Sequence, residues 1–183
     1  MESRIIIAGS GGQGVLFLGK LICYSGMFEG KEVIWFPSYG AEMRGGTANC
    51  TVIVSDEMIG SPVIRNPDIL VAMNKASYDR FSERLLEGGT LIYDSSLFTV
   101  ENKYGNGINV KGVPAAEISA SVKNTKSANM VMMGAFVGIS SILEINSALQ
   151  AIDEITPEHR KKAAAVNKDL IMKGYKLFED KKS

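Results

Sequence analysis

Two short stretches of this chain carry residue types at spacings that could do chemistry. The first, "GSGGQG" at residues 9–14, satisfies G-x-G-x-x-G and brings Gly11, Gly12 and Gln13 into one turn. Glycines in such a turn let the backbone approach a pyrophosphate, while the first amides of the following helix donate to it. The second, "PSYGAEMRGG" at residues 37–46, gathers Ser38, Tyr39, Glu42 and Arg44 among three glycines. Arg44 could hold a phosphate or carboxylate through its planar fork, and Glu42 could anchor Arg44 or reach another chain.

Neither stretch completes a nucleotide site by itself. A dinucleotide fold places Asp or Glu near the end of its second strand to read the ribose, whereas "VIWFPS" ends here in apolar residues, Pro37 and Ser38. "GVLFLGK" at residues 14–20 has Walker spacing, but Leu21 stands where a magnesium-holding Ser or Thr is required. For the glycine turn, anion binding and a tight strand-to-helix connection both remain open. Cys23 and Cys50 lie far apart without CxxC spacing, so they are expected to be core thiols and not metal or cluster ligands. His159, the only histidine, follows Pro157 and Glu158 in an exposed first helical turn and is not expected to be a general base. No residue is assigned a catalytic role.

The elements that must position these loops follow from periodicity. Residues 5–8 read as a buried strand, 15–28 as a helix with Val15, Leu18, Ile22 and Ser25 along one stripe, and 32–36 as a second strand. This β-α-β opening calls for a parallel sheet and a right-handed crossover. Residues 47–54 alternate, with Ala48, Cys50, Val52 and Val54 on one side. The "SDEM" turn and "MIG" after it suggest a hairpin that makes the sheet mixed.

Further strands are expected at 69–73, 90–94 and 108–113, with Asn74 as N-cap of a helix over 75–86. Pro114 suits the first turn of a short helix. Helices follow at 127–140, 147–155 and 157–178, the last capped by Thr156. Met130, Met132, Met133 and Phe136 are expected in the core, and Trp35 is expected to be buried. The whole is an α/β fold, a three-layer α/β/α single domain over residues 1–183 with a mixed, mostly parallel sheet and a helical C-terminal arm.

Bulk properties narrow the partners. Twenty Lys and Arg balance twenty Asp and Glu among 183 residues, which gives no electrostatic reason to expect nucleic acid or an anionic membrane. Hydrophobic residues make up 45%, an ordinary globular share, and the apolar run at 130–139 is about half a membrane span. No leader is visible, so a cytoplasmic protein is expected.

"GSGGQGV" followed by "SYGAEMRGGTANCTVIVSD" and "PDILVAMN" resembles the gamma subunit of the 2-oxoacid:ferredoxin oxidoreductases. The similarity continues through "NMVMMGAFVGI" and "NKDLIMKGYKLF", nearly the whole chain. The resemblance implies a multi-subunit enzyme that converts a 2-oxoacid, coenzyme A and oxidised ferredoxin into acyl-CoA, carbon dioxide and reduced ferredoxin. It implies thiamine diphosphate, magnesium and iron–sulfur clusters held by alpha and beta thiamine-bearing subunits and a ferredoxin-like delta subunit. This chain, binding no cofactor alone, would complete the active-site interface through Gly11, Gly12, Gln13, Ser38, Tyr39, Glu42 and Arg44. "SYGAEMRGG" looks closer to the 2-oxoglutarate and branched-chain branches than to the pyruvate branch. Two other readings stand beside it: a free-standing phosphate- or nucleotide-binding protein of Rossmann-like type, and a purely structural assembly module.

Overall fold

The computed structural model describes residues 1–38, 47–101, 107–122, 126–158 and 161–179. Strand β1 (Glu2–Gly9) leads through the glycine turn into α1 (Val15–Phe28), then β2 (Glu32–Ser38) and β3 (Ala48–Ser55). β4 (Ile69–Ala72) precedes α2 (Lys75–Phe81) and a single 3-10 turn, Ser82–Arg84. β5 (Thr90–Asp94), β6 (Asn109–Val113) and α3 (Ala115–Ser121) follow, and α4 (Ala128–Ser140), α5 (Ile145–Ile155) and α6 (Lys161–Lys176) complete the order.

The six strands form one sheet in the order β2-β3-β1-β4-β5-β6. β1, β4, β5 and β6 run parallel, while β3 is antiparallel to both of its neighbours. β2 therefore runs in the same direction as β1, with β3 inserted between them. This is the mixed, mostly parallel sheet expected, but β3 itself and not a hairpin after it supplies the antiparallel strand. The hairpin expected at "SDEM" does not form. Both edges of β3 are already taken by β1 and β2, so a following strand has no partner there, and Met58 stands 90% exposed.

Alternation along the strands divides the core in two. Ile5, Ile7, Cys50, Val52, Val71 and Ile92 point to the face that carries α1, α4, α5 and α6. Ile6, Ala8, Ile53, Leu70 and Leu91 point to the other, where Phe81 and Leu85 close over them. The first face holds most of the helical mass. Helix α4 is buried from Asn129 to Gly138, as a helix apolar on all sides must be. Its contact with α6 is backbone to backbone: a Cβ on Gly134 would lie 2.7 Å from the Tyr175 amide nitrogen, and one on Gly174 would lie 2.9 Å from the Val131 carbonyl carbon. Met130, Met132, Met133 and Phe136 are all core residues.

Three local expectations change. Thr156 ends α5 instead of starting the next helix: its amide donates to the Ile152 carbonyl at 3.1 Å, and α6 begins at Lys161. The α2 helix stops at Phe81 and tightens into a 3-10 turn, short of residue 86. Trp35 is half-buried, with its indole nitrogen sealed in the interior and the Lys20 ammonium 5.0 Å from its ring centre. Among the described residues no helix is long and apolar enough to cross a membrane.

Candidate functional site at the carboxyl edge of the sheet

Register brings the chemically suggestive loops to one edge. Gly9 pairs with Ala48, Ala8 with Ala72, and Ser38 with Asn49, so β1, β2 and β4 all end at the same edge of the sheet, where residues 10–14 and 73–74 follow. These are the carboxyl ends of the parallel strands. From β1 the chain crosses by α1 over one face, and from β4 it crosses by α2 over the other. The two connections part between β1 and β4, which makes this the topological switch point, where open α/β sheets bind their ligands.

The 9–14 turn is held by side chains on both sides of that point. Gln13 accepts from the Ser10 amide at 2.6 Å and donates to the Met73 carbonyl at 2.9 Å. One backbone donor and one backbone acceptor fix which end of the Gln13 amide faces which way. Asn74 donates to the Ser10 hydroxyl at 2.6 Å and reaches the Gln13 oxygen at 3.4 Å. Its own oxygen accepts from the Ser77 amide at 2.8 Å, the cap its position predicts. On the helix side, Asn129 donates to the Gly14 carbonyl at 3.2 Å.

The glycines of the turn separate into two kinds. Gly9 is enforced by packing, since a Cβ there would lie 2.8 Å from both the Gln13 oxygen and Val15 Cγ2. Gly14, at φ 73°, is enforced by its backbone and by the Asn129 amide. Gly12, at φ 89°, needs glycine for its backbone alone. Gly11 has neither reason: it is exposed, and a Cβ on it would meet nothing within 4 Å among the described residues. The tight-connection account therefore covers Gly9 and Gly14 and leaves Gly11 unexplained by the fold.

Of the second motif, Ser38 ends β2 half-buried, at the same edge as Gly11. Tyr39, Glu42 and Arg44 lie outside the described residues. Beyond them, Thr47 is buried and accepts from Arg80 at 2.9 Å, which ties the start of β3 to α2. A groove of about 220 Å³ runs beside Ser38, lined by Phe36, Asn49, Thr51 and Val63, with Phe36 60% exposed. The only carboxylate on β2 is Glu32, at the opposite end of the strand from this edge.

The described edge thus offers hydroxyls, carboxamides and backbone amides, groups that hold and position. The two thiols lie deeper. Burial pushes Cys23 up to about 12, with Cys50 nearby adding to the rise. Burial likewise pushes Cys50 up to about 12, against smaller opposing contributions from the Trp35 indole and the Gly19 amide. Such thiols stay protonated in the core of the folded chain. His159 lies outside the described residues.

Sequence reasoning placed Asn74 as a cap and missed its second task, and it missed Ser10 and Asn129 altogether. A usable signal exists for Asn74. A capping asparagine uses only its oxygen, so the leftover amide must find an acceptor when half-buried.

Residues 4–177 match the family described as pyruvate ferredoxin/flavodoxin oxidoreductase. The chain is 41% identical over 138 residues to the ketoisovalerate oxidoreductase subunit VorA of Methanothermobacter thermautotrophicus, covering 75% of this chain and 28% of that protein. It therefore spans little more than a quarter of the length of that relative. It is 34% identical to the 2-oxoglutarate synthase subunit KorC of Methanothermobacter marburgensis, over 96% of this chain and 100% of that one. The crystal structure of a keto/oxoacid ferredoxin oxidoreductase gamma subunit from Geobacter sulfurreducens superposes with a TM-score of 0.81 at 27% identity, covering 95% of this chain and 96% of the other. With nearly its whole length matched, and with the fold and the edge built as described, the chain belongs to the pyruvate ferredoxin/flavodoxin oxidoreductase family.

Proposed function

We propose that this chain is the gamma-type subunit of a 2-oxoacid:ferredoxin oxidoreductase, inert alone and required for turnover in the complex. The observation that carries the proposal is the open Gly11 backbone at the switch point, at the same edge of the sheet as Ser38. Among the described residues nothing uses that surface, while Gln13 and Asn74 are spent holding its shape. Coverage of the 2-oxoglutarate synthase subunit over its whole length supports the subunit assignment.

In this proposal, thiamine diphosphate with magnesium supplies the decarboxylation chemistry and iron–sulfur clusters carry the electrons, all of them on the alpha, beta and delta subunits. The part played by this chain is positional. Gly11 and Gly12 present backbone to the thiamine-bearing subunits or to the approach of coenzyme A, and Gln13 sets the turn that presents them. Ser38, Tyr39, Glu42 and Arg44 line the neighbouring stretch, with Arg44 pairing to a carboxylate or phosphate across the interface. The free-standing nucleotide-binding alternative is disfavoured by β2, whose carboxylate sits at the wrong end to meet a ribose.

For the substrate we propose 2-oxoglutarate or a branched-chain 2-oxoacid over pyruvate. Identity falls from 41% with the ketoisovalerate relative and 34% with the 2-oxoglutarate relative to 29% with a pyruvate synthase subunit of Methanothermobacter marburgensis.

Omission and add-back test the proposal. The complex prepared without this chain should fail to reduce viologen with a 2-oxoacid and coenzyme A, and the purified chain should restore the rate while showing none alone. Activity of the chain by itself, or full activity of the complex without it, would overturn the assignment.

A further inference from the structure

We infer that Asn74 is a positioning residue for the exposed Gly11–Gly12 turn, acting through Ser10 and Gln13 from the far side of the switch point. Its two side-chain ends do different work. The oxygen caps α2 on the Ser77 amide at 2.8 Å. That bond fixes the orientation of the carboxamide, so the nitrogen must face the turn, where the Ser10 hydroxyl lies at 2.6 Å and the Gln13 oxygen at 3.4 Å.

Each remaining member of the network is likewise determined. Turning the Gln13 amide over would set its nitrogen against the Ser10 amide and its oxygen against the Met73 carbonyl, two repulsive contacts in place of bonds at 2.6 and 2.9 Å. The Gln13 backbone amide closes the turn on the Ser10 carbonyl at 3.2 Å. Ser10 is thus held at three atoms and Gln13 at three, with Gly11 and Gly12 strung between them. Glycines in open space have the widest backbone freedom of any residue, so a fixed shape must be imposed from their ends. Asn74 supplies, beside the Met73 carbonyl, the side-chain part of that constraint that comes from the end of β4.

The consequence for assembly rests on the proposed subunit role. A turn held in one shape loses little freedom on docking, and a loosened one loses more.

Asn74→Ser separates the two tasks, because serine caps a helix as well as asparagine does but carries no amide donor. Ser10→Ala removes the acceptor from the other side. In the lone full chain, amide exchange of residues 10 and 13 should quicken about tenfold in both variants, the factor matching loss of an ordinary hydrogen bond. The Ser77 amide should stay protected in Asn74→Ser. In the add-back assay both variants should need about tenfold more chain for half-maximal restoration, with the rate at saturation unchanged. Unaltered exchange at residues 10 and 13, or equal loss of protection at Ser77, would overturn the inference and leave Asn74 a helix cap only. Failure of the wild-type chain to restore any activity would instead sink the subunit assignment, and the exchange comparison would still decide what Asn74 holds.

Discussion

Asn129 and Gly14, 115 residues apart in the chain, meet where α4 passes the start of α1: the asparagine amide donates to the glycine carbonyl at 3.2 Å and fills the space a side chain on Gly14 would need. The contact locks the glycine turn to the most deeply buried helix of the protein. Gly14→Ala is penalised twice, by a left-handed backbone at φ 73° and by the collision with Asn129. The expected cost is about 2–4 kcal/mol, read as a melting temperature lower by roughly 5–15 °C in a chain of this size. A shift below about 2 °C would show that the turn relaxes freely.

Gly11→Ala is the matched contrast. With open space around its Cβ and no positive φ, the substitution should leave the melting temperature of the lone chain unchanged or slightly raised. In the reconstituted complex the same change should weaken add-back, because the new methyl stands on the face assigned to the partner. Full restoration by Gly11→Ala would place the interface elsewhere.

How much of this was legible beforehand differs from element to element. The bounds of α1 follow from its apolar stripe and from Gly30, whose φ of 69° ends it, and Asn74 as a cap follows from its place between strand and helix. The insertion of β3 between β1 and β2 was not legible. Alternation at residues 47–54 shows a strand with two faces but says nothing of which neighbours take its edges, and while β2 precedes β3 directly in the chain, the β1 pairing comes from a segment remote in sequence. The motif glycines were visible as a group, whereas their division into packed Gly9 and Gly14 and open Gly11 depends on Asn129 and Met73, which only the folded chain brings near. The Ser10 hydroxyl and Asn129 carry no local signal, because their side-chain partners lie across the sheet edge or 115 residues away.

The buried thiols predict an alkaline limit to stability. The folded chain holds Cys23 and Cys50 protonated up to about pH 12, against an ordinary value of 9.0. Between those values the unfolded chain releases protons that the folded chain keeps, so stability is fully present below about pH 9 and is lost as pH rises toward 12. Urea midpoints measured from pH 8 to 11 should fall more steeply in wild type than in Cys23→Ala or Cys50→Ala. At pH 8 a thiol reagent should react only on unfolding, and prompt labelling of the native chain would contradict the burial.

Arg44→Ala should separate assembly from folding. Its loop is glycine-rich and polar, and an exposed ion pair adds little to the stability of a lone chain, about 0–1 kcal/mol. A desolvated pair at an interface costs on the order of 2–5 kcal/mol when one partner is removed. The melting temperature should therefore hold while add-back falls by more than tenfold. A marked loss of monomer stability would make Arg44 a fold residue, and unchanged add-back would make it a bystander.

The most direct test of the central claim is to tag the chain in its own organism, purify it under native conditions and assay what comes with it. The subunit assignment predicts thiamine diphosphate and iron–sulfur clusters in fixed ratio to the tagged chain, together with viologen reduction that requires both a 2-oxoacid and coenzyme A. A tagged chain recovered alone, without thiamine diphosphate and with no such activity, would contradict it.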